Sequence, residues 1–164
     1  MPTTYEPIAT TTVSTAVATV TFSSISGTYT DLVLVAAPKL SSGAGNMQCQ
    51  FNSDTGSNYS MTELGGTGSA AFSSRASNLT SVRLTYYGYV ENNNNQNTII
   101  QIQNYSNATT YKTLLARSNN AANGTGATVG LWRSTSAITS VVLSLDASTF
   151  ASGSTFTLYG IKAA

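Results

Sequence analysis

The chain has 164 residues, with 7 Lys+Arg, 6 Asp+Glu and no His, for a formal net charge of +1. Charged residues make up 8% of it, against about a quarter in an ordinary globular domain, and Ser, Thr and Asn take their place. Near-neutrality removes the basic face of a nucleic-acid binder; no apolar run reaches the roughly 18–20 residues of a membrane span; and without His there is no imidazole catalysis and no His-ligated metal.

Residues 1–10, marked by Pro2 and Pro7, read as an extended N-terminal arm. The first residues carry neither the basic nor the apolar stretch of a secretory leader. A single domain is expected over 11–164, long enough to bury a core without staples. Ala16, Ala18, Val20 and Phe22 alternate with small or polar residues and predict the first strand of that domain. Asp31–Ala37 (DLVLVAA) is apolar on both faces, which predicts a central strand covered on both sides. Pro38 and the SSGAGN loop end it.

Met47–Phe51 alternates and points Met47, Cys49 and Phe51 inward. Tyr59–Leu64 is a weaker strand, followed by a long loop, GGTGSAAFSSRASN. Ser81–Val90 places Val82, Leu84 and Tyr86 on one face and Arg83, Thr85, Tyr87 and Tyr89 on the other. The run NNNNQN reads as a turn, and Thr98–Tyr105 and Tyr111–Arg117 as a hairpin. After the loop NNAANGTG come strands at Thr128–Trp132, Ile138–Leu145 and Thr155–Ile161.

These nine or ten strands lie between Gly/Ser/Asn turns at short spacing, and no segment reads as a crossover helix. The expected fold is all-β, an antiparallel sandwich of jelly-roll type with one or two added edge strands.

Few residues carry chemistry. Of the six carboxylates, Asp54 and Glu63 flank one predicted strand and could converge as a glycosidase dyad. The plainer reading makes Asp54 an Asx turn in NSDTGSN. That segment has a single carboxylate, too few for a calcium loop. The lone Cys49 excludes an internal disulfide and a Cys-based zinc site. Its inward position reads as an inert thiol. No catalytic residue, metal or cofactor is expected. The residues singled out for partner binding are Tyr5, Pro7 and Ile8 in the arm, Tyr87 and Tyr89 in the tyrosine cluster, and Trp132 with Arg133 in LWRSTS. Aromatic and Arg side chains are enriched at interfaces.

Tyr29–Val35 (YTDLVLV), Phe51–Ser60 (FNSDTGSNYS), Gln103–Arg117, Gly130–Thr139 (GLWRSTSAIT) and the closing STFTLYGIK resemble small virion proteins of tailed bacteriophages of aquatic bacteria. The resemblance covers most of the chain after about residue 5. It implies a non-enzymatic jelly-roll structural protein of the virion, made in the host cytoplasm. The implied role is capsid decoration, or cement, on the outer head. The implied partners are further copies of the chain, as a homotrimer, and the major capsid protein. The alternative is a tail or fibre adhesin that recognises host-surface glycan. Neither reading involves nucleic acid or membrane.

Overall fold

The computed structural model describes residues 4–85, 89–94 and 96–162. β-branched and aromatic residues at every second position make strands, and fourteen are found among the described residues. In chain order they are β1 (Tyr5–Thr12), β2 (Thr19–Phe22), β3 (Asp31–Ala37), β4 (Ala44–Gly45), β5 (Met47–Phe51), β6 (Tyr59–Gly66) and β7 (Ala71–Leu79). There follow β8 (Val82–Arg83), β9 (Val90–Glu91), β10 (Gln96–Gln103), β11 (Lys112–Asn120), β12 (Gly124–Trp132), β13 (Val141–Leu145) and β14 (Thr155–Ile161). Every pairing is antiparallel.

Two sheets of unequal size pack together. The larger has the order β1-β14-β3-β10-β11-β12-β6-β7, and the smaller β2-β13-β5-β8. Setting aside β6, β7, β11, β12 and the small β4–β9 ribbon leaves eight strands. Along the chain these alternate between the sheets, except that β5 and β8 both lie in the small one. The resulting orders, β1-β14-β3-β10 facing β2-β13-β5-β8, are those of a jelly roll. The sandwich is thus of the expected type. It carries four added strands in the large sheet where one or two were expected.

The core lies between the sheets. Leu32, Leu34, Ile100, Ile102, Phe156 and Leu158 of the large sheet are fully buried there, against Met47, Cys49, Phe51, Val141 and Leu143 of the small one. Each such side chain contributes about 1.5–3 kcal/mol by leaving water. The added strands are covered only in part. Val82 of β8 lies over Gly130 of β12, where a Cβ would come within 2.7 Å of the Val82 Cγ1 atom. Glycine is required at that crossing.

Several segments differ from the sequence reading. The arm is an integral edge strand: β1 pairs with β14 from Tyr5↔Ile161 to Thr12↔Thr155, with a bulge at Ile8. The long loop after β6 contains β7. Ser81–Val90 is not one strand, because β8 and β9 belong to different sheets. Asp31–Ala37, Met47–Phe51 and Thr155–Ile161 form strands with the expected bounds. The outer side of β3 is covered only in part: Val33 is buried, whereas Val35 is 39% exposed.

Candidate functional site

At one end of the sandwich, the turn after β5 and the end of β12 build a polar cluster on an aromatic base. Trp132 ends the inward-facing series of β12 and is buried. Its ring stacks on Tyr59 with centroids 6.3 Å apart and packs against Phe51 at 5.6 Å. The Tyr59 hydroxyl accepts the Phe51 N–H at 3.0 Å. Burial raises the pKa of that phenol above the ordinary tyrosine value.

Asp54 gathers three donors. Trp132 Nε1–H reaches Oδ2 at 2.7 Å, Asn58 Nδ2 reaches Oδ2 at 2.8 Å, and the Gly56 N–H reaches Oδ1 at 2.8 Å. Led by the Trp132 bond, they hold the Asp54 carboxyl below its ordinary pKa against the opposing effect of burial. Arg133 closes the cluster. Its guanidinium donates to the Ser57 carbonyl at 2.7 Å and to Asn78 Oδ1 at 3.1 Å. The Asx turn at Asp54 is therefore present, and it also anchors the only tryptophan of the chain.

Glu63 lies four positions beyond Tyr59 on the inner face of β6, about 13 Å further along the strand. It is buried and paired in a fork with Arg83, Nε to Oε1 at 3.1 Å and Nη2 to Oε2 at 2.7 Å. Asp54 and Glu63 do not converge. At the opposite end, Glu91 is ringed by amides. Asn94 and Asn120 donate to Oε2, and Asn123 to Oε1 at 2.9 Å. The Asn94 bond leads in holding the Glu91 carboxyl below its ordinary pKa.

Lys112 is buried on β11 and donates to the Thr110 and Thr135 carbonyls, at 2.7 and 3.1 Å. Burial lowers its pKa. Sequence reasoning passed over Lys112. The available signal was its place in the inward-facing register with Leu114 and Ala116. Cys49 is buried between the sheets.

The residues singled out for partner binding are scattered. Tyr5 and Pro7 are exposed on the outer side of β1, Tyr5 edge-on to Tyr159 with centroids 6.4 Å apart. Ile8 is half-buried at the bulge and packs on the core. Tyr89 is half-buried, and its carbonyl accepts Asn120 Nδ2 at 2.9 Å. Trp132 and Arg133 are engaged in the internal cluster just described. Tyr87 lies outside the described residues.

The largest open feature is the outer face of the eight-stranded sheet. Across β3, β10, β11, β12 and β6 the register aligns Val35, Ile99, Arg117, Ala127 and Leu64 in one row. The next row holds Val33, Gln101, Leu115, Val129 and Thr62. Leu115 is 45%, Val129 55% and Leu64 62% exposed. A shallow groove of about 700 Å³ runs past Leu64, Ile99, Arg117 and Ala127.

Among the described residues, no three His, Cys, Asp or Glu side chains gather as a metal-binding group, and no helix is long and apolar enough to cross a membrane. Comparison with known protein families, with curated proteins and with solved structures finds no match to this chain.

Proposed function

We propose that this chain is a non-enzymatic structural protein of a bacteriophage particle, a decoration or cement protein on the outer surface of the head that stabilises the shell. The observation that carries this reading is the use of its chemically capable groups. Asp54, Glu63, Glu91 and Lys112 are each consumed by bonds that hold the fold. What remains at the surface is mainly hydroxyl, amide and apolar, with a few tyrosines and scattered charges, and only 8% of the chain is charged. Such a surface carries little like-charge repulsion, so many copies can crowd on one shell. The virion resemblance of the quoted segments supplies the context, with the major capsid protein as the partner. Assembly as a trimer is what that resemblance implies.

The test is location and copy number. Purified particles are quantified for this chain by mass spectrometry and labelled with antibody. Hundreds of copies over the head support decoration. A handful at the tail support the adhesin alternative, and absence from particles refutes both. Tyr5→Ala tests the β1 contact better than deletion of the arm, because β1 is half of the β1–β14 ladder. Association with the head is expected to depend weakly on salt, since few ion pairs are available to be screened.

A further inference from the structure

We propose that the outer face of the eight-stranded sheet is a self-association surface on which a second copy of this chain packs about a two-fold axis. β3 reads DLVLVAA, apolar on both sides. Its inner residues Leu32, Leu34 and Ala36 are covered by the small sheet, whereas on the outer side Val33 is buried among its sheet neighbours and Val35 is 39% exposed. Further across the sheet, Leu115 of β11 and Val129 of β12 also point away from the core and are about half exposed. A sequence that makes both faces of a central strand apolar matches a strand covered twice. The single chain covers the outer face only in part.

The size of the face fits a second copy. Seven inter-strand spacings give about 34 Å of width, and strands of eight or nine residues give about 27 Å of height. The product is roughly 900 Å², close to the ~800 Å² per partner of a standard stable interface.

Charge placement selects the mode of packing. The central part of the face has one cation, Arg117, and one carboxylate, Asp31. Asp31 is on β3 opposite Ile161, and Arg117 is on β11 opposite Ile99. Asp31 Oδ1 accepts the Asn104 N–H at 2.7 Å, and neither Asp31 nor Arg117 has an ion-pair partner among the described residues. They stand two strands and four positions apart, about 17 Å, and the midpoint falls at Gln101 on β10, between Val33 and Leu115 in the same row. A two-fold axis lying in the interface through that point sets Asp31 of each copy against Arg117 of the other, twice, around a centre where the Gln101 amide is flanked by Val33 and Leu115. Such a contact is self-complementary and closes at two. The opposite arrangement, edge-to-edge growth through β1, is obstructed by Pro7 and the bulge at Ile8. Arg75 lies at the β7 margin of the face, opposite Thr62.

The purified full chain is measured by sedimentation equilibrium over a wide concentration range. The expected species is a dimer. Leu115→Lys, at a position already half open to water, is expected to raise the dissociation constant by about thirtyfold or more. Arg117→Asp and Asp31→Lys each weaken the dimer, and the two together in one chain restore it. Circular dichroism of each variant confirms the fold. A monomer at every concentration overturns the proposal, as does a trimer, or an assembly that Leu115→Lys leaves unchanged. No virus particle is involved: a dimer replaces the trimer that the resemblance implies and leaves location on the head open, a dimer that fails to bind heads refutes the decoration reading alone, and a monomeric chain that binds heads refutes this inference alone.

Discussion

Replacing Asp54 by Ala removes the acceptor of three donors at once. The Trp132 Nε1–H is in the buried cluster, and a buried donor left without a partner costs about 1–3 kcal/mol. The Asn58 and Gly56 bonds lie nearer solvent, and each contributes about 0.5–1 kcal/mol net. The expected loss is about 3 kcal/mol, a large part of the ~5–15 kcal/mol that holds a typical domain together. For a chain of this size each kcal/mol lowers Tm by about 2–4 °C, so a fall of about 6–12 °C is expected. Urea unfolding followed by the fluorescence of the single Trp132 reads it directly.

The pH dependence gives a second reading of the same bond. The folded-state pKa of Asp54 lies below its ordinary 3.8. Its contribution is therefore complete above that value and is lost as pH falls below it, where the unfolded chain takes up the proton first. Asp54→Asn is expected to flatten this part of the acid profile, leaving the similar contribution of Glu91. A loss below about 0.5 kcal/mol in Asp54→Ala, the range of an ordinary surface substitution, together with an unchanged acid profile in Asp54→Asn, would refute the reasoning.

Three other outcomes are expected. Gly130→Ala places a methyl 2.7 Å from Val82 Cγ1 and 3.0 Å from Leu114 Cγ, and is expected to cost about 1–3 kcal/mol by overpacking, measured by thermal unfolding. Glu63→Gln removes the carboxylate facing Arg83; because the Arg83 side chain is 27% exposed, the cost in urea unfolding is expected near 2 kcal/mol, below that of a fully buried pair. Cys49 is buried, and burial pushes its thiol pKa up, so a thiol reagent is expected to label it only at the rate of unfolding; fast labelling of the native chain would contradict the burial.

Where two sheets face each other, the sequence could be read almost residue by residue. β3, β5 and β14 alternate or run apolar because one or both sides of each strand must leave water, and their bounds follow from that pattern. The pattern fades where the large sheet extends past the small one. β7 reads AFSSRASNL and is mostly exposed on both sides. As an edge strand it has little to bury, so no period of two is written into it. The start of β12, GTGA, is written by close approach and not by burial: at Gly124 a Cβ would come within 2.4 Å of the Gly66 carbonyl oxygen. The cluster at Asp54 was half legible. The turn is announced by NSDTGSN, but its bond to Trp132 joins residues 78 positions apart, and no local pattern encodes it. Trp132 and Arg133 were chosen for the chemistry of interfaces, and the same large amphipathic side chains serve here to tie a loop to the core.

The pairing of β1 with β14 also sets an order of events during synthesis. β1 leaves the ribosome first, yet its only neighbour in the sheet is the last strand made. β3 lies between β14 and β10, so one of its edges stays bare until Ile161 has emerged. For most of translation the nascent chain holds an apolar strand with unpaired amides and carbonyls, a species prone to wrong pairing. Scarce charge offers little electrostatic protection in that interval. The chain is therefore expected to complete its fold late, and truncation before β14 to release aggregating fragments rather than a smaller stable sandwich.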